Sequence, residues 1–146
     1  MIAYLDTSAL IKLYIKEEGS EEVQEIIKKA DSVATSKVAY VESRAAMSRL
    51  LRENAFDEID YQGVKKSFQK DWSKFVVVEL TDTVISKGAE LTEKYILRGF
   101  EAIHLASALI LKTQVAQNVI SGCWDIRLWD AFKDNMDVFP TKWGIG

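Results

Sequence analysis

The chain has little of the residues that cross-link a protein or interrupt its elements. One cysteine (Cys123), one proline (Pro140) and one histidine (His104) occur among 146 residues. A single thiol excludes an internal disulfide and a thiolate cage for zinc, and no His/Cys cluster exists to suggest that metal. No stretch approaches the roughly 18 uninterrupted apolar residues that a membrane span requires. The opening MIAYLDTSALIKLY has neither a basic leader nor a small-residue cleavage pattern. A cytoplasmic protein in a reducing interior, away from the membrane, is expected. Positive charge is also scarce: the formal net charge is -3. That weighs against a protein relying on long-range attraction to nucleic acid. It leaves room for a nuclease with acidic metal ligands and a local basic rim.

What is present describes an ordinary globular chain. Hydrophobic residues make up 48% and charged residues 28%, enough for a single domain over residues 1–146 with its own core. Ile2 to Leu5 is a short continuous apolar run, as expected of a strand covered on both faces. Thr7 or Ser8 can cap a helix through Leu10, Ile11 and Tyr14, which Gly19-Ser20 ends. Helical spacing recurs over Glu21–Lys29, Val38–Arg52 and Phe56–Lys74. It returns from Thr81 or Asp82 to about Leu97, where Arg98-Gly99 ends it, and again over Glu101–Lys112 and Asp125–Lys133. Ser32–Ser36, Phe75–Glu79 and Val119–Ser121 read as strands, with Val138-Phe139 a further edge strand. This alternation predicts an α/β domain: a mainly parallel central sheet of four or five strands flanked by helices. In such sheets ligands bind beyond the carboxyl ends of the strands, where strand order reverses.

Four acids fall where that rule directs attention. Asp6 follows the first strand, and although Asp is a good helix cap, Thr7 and Ser8 could do that work. Glu42 sits in SKVAYVESRAAM, where Val38, Ala39, Ala45 and Ala46 offer no opposite charge at helical spacing. A carboxylate on so small and apolar a face is costly without a partner from elsewhere, either a metal ion or an arginine. Glu101 opens GFEAIHLASALIL, a helix with no other fixed charge from Ala102 to Leu111; it could simply complement the helix dipole. Asp125 precedes IRLWDAF, again a natural cap position. Converging carboxylates repel and raise one another's pKa values, a conflict that a divalent cation removes. Hard oxygen donors suit Mg²⁺ or Mn²⁺. A pair of such ions about 3.5–4 Å apart can activate water and steady a phosphodiester displacement.

In order along the chain, DTSAL after the first strand, VES within a helix, GFEAIHLASAL and a late DIRL resemble the four blocks of the PIN-domain family. The intervals are family-like and the blocks span nearly the whole chain; the size resembles the toxin branch (VapC-like). The resemblance implies that Asp6, Glu42, Glu101 and Asp125 form the acidic quartet at the metal, with Ser8 supporting it. It further implies an Mg²⁺- or Mn²⁺-dependent endoribonuclease acting on RNA, a cognate antitoxin that blocks the site, and a homodimer. In the mechanism expected from it, Asp6, Glu101 and Asp125 contact the ion while Glu42 binds a second ion or orients water. Two positions depart from the pattern. Glu101 stands where Asp is usual, reaching one methylene further, and Ser121-Gly122-Cys123-Trp124 precedes Asp125 where members often carry Thr or Ser closer to the acid.

Other residues are weighed against plainer roles. His104 is a conceivable general base, but a packed, hydrogen-bonded core histidine is the expected role, and Cys123 lacks the partners of a nucleophile. Trp124 adjoins Asp125 and is retained as a base-stacking residue, whereas Trp72, Trp129 and Trp143 are expected in core or interface. Lys12, Lys37, Arg44, Arg98 and Arg127 lie near the blocks and could contact phosphates. An apolar groove for the antitoxin is expected around Leu13–Ile27 and Phe56–Phe68. Two rival functions follow: a PIN-fold RNA- or antitoxin-binding module without useful catalysis, and a phosphatase-like hydrolase using Asp6 as nucleophile. The second is disfavoured because Ser8 stands where such enzymes commonly place a second acid.

Overall fold

The computed structural model describes residues 1–143. β1 (Ile2–Leu5) is buried at every position, as its uninterrupted apolar run requires. It stands at the centre of a five-stranded parallel sheet, with β2 (Ser32–Ser36) and β3 (Val76–Val78) on one side and β4 (Val119–Gly122) and β5 (Asp137–Phe139) on the other. The spatial order is β3-β2-β1-β4-β5. Ala3 is level with Val33 on one neighbour and Ile120 on the other, and Leu5 with Gly122. Strand order therefore reverses between β1 and β4, and their carboxyl ends open together.

Successive strand residues point to opposite faces, and each face is covered by its own helices. Ile2 and Tyr4 join Leu105, Ala108, Leu128 and Phe132 in the core beneath α5 (Asp82–Lys94), α6 (Gly99–Gln114) and α7 (Ile126–Lys133). Leu5 joins Leu10, Val23, Met47 and Phe68 beneath α1 (Thr7–Leu10), α2 (Ser20–Lys29), α3 (Val38–Arg52) and α4 (Glu58–Trp72). The α/β architecture with a parallel sheet is as expected, with all five strands present.

Local chemistry moved several boundaries. The first helix is only one turn long and continues as a 3-10 turn over Ile11–Leu13. Its cap is Asp6, whose carboxylate accepts from the Ala9 N–H, rather than Thr7 or Ser8. FVVVE contributes only Val76–Val78 to the sheet, as a partly exposed edge. Arg98-Gly99 does not end the preceding helix: α5 stops at Lys94, and the extended Tyr95 breaks it before Leu97 is reached. That pair instead begins α6: Arg98 is its cap and Glu101 closes back on the Arg98 N–H at 2.7 Å.

Candidate functional site

The carboxyl ends of β1 and β4 meet the amino ends of α6 and α7 at a cleft of about 560 Å³, lined by Asp6, Thr7, Ser8, Glu42, Glu101, His104 and Asp125, with Arg98 and Phe100 at its lip. All four acids and Ser8 are thus brought to one cavity from four separate elements. Asp6 leaves the end of β1, Glu42 the second turn of α3, Glu101 the first turn of α6, and Asp125 caps α7 through bonds from the Arg127 and Leu128 N–H groups.

Asp6 is only 3% exposed. Burial pushes its pKa up, against the lowering influence of His104, the Ser8 hydroxyl, the Ala9 N–H and the Cys123 thiol. Ser8 lies 2.7 Å from one Asp6 oxygen and accepts a bond from the Trp124 N–H at 2.8 Å. It therefore ties the first strand's loop to the loop carrying Asp125. Cys123 donates to Asp6 from 3.1 Å. Its thiol is buried and pushed far above its ordinary pKa by burial and then by Asp6, so it is a neutral donor.

Glu42 has a partner that the sequence reading did not supply. Neither a metal nor an arginine is needed to account for it: His104 Nε2 lies 3.0 Å from Glu42 Oε1, and the Thr7 hydroxyl donates to the same oxygen. Burial raises the Glu42 pKa, but the His104 and Thr7 bonds outweigh it and the net direction is down. His104 is buried, as expected of a core histidine, yet it also forms part of the cleft wall. The signal for this was present in the sequence: the only histidine lies one turn beyond Glu101, in a stretch with no fixed charge from Ala102 to Leu111.

The opposite wall is less settled. Glu101 and Asp125 stand within hydrogen-bonding reach of each other, and burial followed by Asp125 pushes the Glu101 pKa up despite the Arg98 N–H. Arg127 approaches Glu101 only to 4.0 Å. Glu101 Oε2 is buried without a hydrogen-bond partner among the described residues. The extra methylene at position 101 still brings the carboxylate to the cleft, and Asp125 also reaches it despite the long loop before it.

No three Asp, Glu, His or Cys side chains among the described residues stand close enough together to clasp an ion in this arrangement. The donor chemistry nevertheless fits a hard divalent cation. The cleft holds carboxylate oxygens, a partnerless buried oxygen on Glu101, and two acids whose mutual repulsion a cation would relieve.

The cations and aromatics sort differently from expectation. Lys12 is buried, paired with Glu17 at 3.0 Å and placed over the Trp124 ring. Lys37 pairs with Glu79, and Arg44 lies over Tyr40. Of the five, Arg98 lines the cleft and donates to Glu101 through its backbone N–H, while Arg127 comes to 4.0 Å from the same carboxylate. Trp124 packs edge-on against Phe139 and under Gly19 instead of lining the cleft. The aromatic that does line it is Phe100, 56% exposed, which was not singled out from the sequence. Trp72 stacks with Phe68 and Tyr40 in the core, and Trp129 is buried against Trp143.

The PIN domain family model matches residues 3–118, so Asp125 lies beyond the matched stretch. Ribonuclease VapC45 and Ribonuclease VapC49, both from Mycobacterium tuberculosis strains, are each 32% identical over 127 residues, covering 87% of this chain and 86% of theirs. Among solved structures, a chain of a toxin–antitoxin complex from Klebsiella pneumoniae superposes with a TM-score of 0.69 at 16% identity, covering 96% of this chain and 98% of that one. FitAcB from Neisseria gonorrhoeae gives 0.66 at 15% identity, covering 99% and 100%. The architecture, the matched model and the curated relatives agree: the chain belongs to the PIN-domain family.

Proposed function

We propose that the chain is a metal-dependent endoribonuclease, the toxin of a toxin–antitoxin pair, and that it hydrolyses RNA phosphodiesters at the cleft between β1 and β4. The observation that carries this reading is the convergence of Asp6, Glu42, Glu101 and Asp125 from four elements on one cavity at the strand-order reversal. The ribonuclease relatives support the substrate class, and the toxin–antitoxin complex from Klebsiella pneumoniae supports an antitoxin partner.

Asp6, Glu101 and Asp125 would hold Mg²⁺ or Mn²⁺. When bound, such an ion lowers the pKa of a water and offsets the charge that builds on the phosphate. Asp6 keeps its orientation through Ser8 and the Ala9 N–H. Glu42, held through Oε1, directs its other oxygen at the attacking water or takes a second ion. Arg98 and Arg127 supply positive charge at the rim for phosphate oxygens.

Purified, antitoxin-free protein incubated with labelled RNA and Mg²⁺ or Mn²⁺ tests the reading. Cleavage lost both with EDTA and in Asp6→Asn is the expected result; cleavage that survives either control rejects it. One observation favours a second reading, a PIN-fold binding module without useful catalysis: the acids engage protein donors, and no three of them clasp an ion as they stand. Glu101→Asp separates the two, since a gain of metal affinity and cleavage belongs to an active site.

A further inference from the structure

A line of buried polar contacts runs from the central strand into the cleft. The Tyr4 hydroxyl, fully buried in β1, lies 2.8 Å from His104 Nδ1. The opposite ring nitrogen, Nε2, lies 3.0 Å from Glu42 Oε1 and 3.1 Å from the Thr7 hydroxyl oxygen. The Thr7 proton is committed to Glu42. An ionised carboxylate can only accept. Both oxygens facing Nε2 are therefore acceptors, and the ring proton belongs on Nε2. In the neutral ring Nδ1 is then the acceptor and Tyr4 the donor, which fixes one tautomer. Both donors to Glu42 converge on Oε1, so Oε2 keeps its lone pairs for the cleft.

We propose that Tyr4 and His104 form a positioning relay: Tyr4 holds His104 in its Nε2–H tautomer, and His104 holds Glu42 so that Oε2 faces the reacting phosphodiester. His104 acts through Glu42 and touches no substrate. The relay joins the first, second and third motif blocks through one ring. It also explains why a ring with two distinct nitrogens sits in a buried helix face otherwise built of alanine, leucine and Ser107. The role in cleavage rests on the ribonuclease reading above.

His104 is the only histidine in the chain, so its ring nitrogens can be read without ambiguity by ¹⁵N NMR on the full chain. The expected result is a protonated Nε2 and an unprotonated Nδ1, with the Nδ1 resonance shifting in Tyr4→Phe. A protonated Nδ1 with a bare Nε2 overturns the relay, because such a ring cannot donate to Glu42. Kinetics supply the second test. His104→Leu should lower kcat about tenfold or more, as loss of a hydrogen bond to a charged group allows, with KM nearly unchanged. His104→Gln, whose amide can donate to Glu42 and accept from Tyr4, should restore most of that loss. In a Glu42→Ala background, His104→Leu should have no further effect on kcat; an additive loss overturns the relay even if the single variant is slow. Circular dichroism on each variant confirms folding. Wild-type protein that shows the expected tautomer but cuts no RNA overturns the ribonuclease reading, and the positioning role with it. The wrong tautomer or an additive double variant in an active enzyme overturns the relay alone.

Discussion

The two walls of the cleft handle negative charge in opposite ways. On the β1 side, Asp6 and Glu42 are surrounded by donors: Ser8, the Ala9 N–H and Cys123 for one, His104 and Thr7 for the other. On the α6–α7 side, Glu101 faces Asp125, and one Glu101 oxygen is buried without a partner. One wall is organised by the protein itself. The other carries an electrostatic conflict, which is where an added cation gains most. A cleft carboxylate whose charge is costly in the metal-free fold is where a bound cation has most to offset.

The largest effect expected is from removing charge on the organised wall. Asp6→Asn should lower the RNA cleavage rate by about 10³-fold or more, as loss of a group central to charge stabilisation does. It should not lower the melting temperature. The amide keeps an oxygen for the Ala9 N–H, and the neutral side chain avoids the burial that pushes the Asp6 pKa up. Loss of activity together with collapse of the fold would mean that Asp6 serves architecture first.

On the conflicted wall, Glu101→Gln should stabilise the metal-free protein by about 1 kcal/mol, read as a melting temperature ~3 °C higher, while removing activity. Glutamine keeps the bond to the Arg98 N–H and ends the repulsion with Asp125. The pH dependence follows from the sign of the shift. The folded-state pKa of Glu101 is raised above its ordinary 4.5. Its contribution to stability is therefore fully present below that value and is lost as pH rises through the raised one. Wild-type metal-free protein should lose stability across that window relative to Glu101→Gln. Saturating Mg²⁺ or Mn²⁺ should restore wild type but leave the variant unmoved. Equal stabilisation of both by the ion would place the metal elsewhere.

The sequence made much of this legible, for identifiable reasons. β1, α3 and the apolar α6 are marked by continuous or periodic hydrophobicity that their burial requires. The acids were found because charge within apolar surroundings is conspicuous. What was not legible depends on contacts between distant segments. Glu42 was expected to need a metal or an arginine, because the residue that pairs with it, His104, lies 62 positions away. Lys12 read as a cation near the first block that could contact phosphate, but the chain folds back so that Glu17 and Trp124 enclose it. Phe75 and Glu79 fell outside β3 because an edge strand pairs only as far as its single neighbour allows.

That enclosure of Lys12 leads to the smallest functional effect expected, and to a check on whether the organised wall depends on its surroundings. Gly19 adopts φ +92, and a Cβ there would lie 2.6 Å from the Trp124 ring. The backbone conformation and the close approach both demand glycine. Gly19→Ala should therefore cost roughly 1–3 kcal/mol of stability, measurable by urea denaturation. The displaced ring should loosen the Trp124 N–H bond to Ser8, and through Ser8 the orientation of Asp6. Because the Ala9 N–H and Cys123 still hold Asp6, cleavage should fall only a few-fold, about what one weakened neutral hydrogen bond allows. A loss approaching that of Asp6→Asn would mean that the organised wall depends on the loop over Trp124, not on the donors that touch the carboxylate.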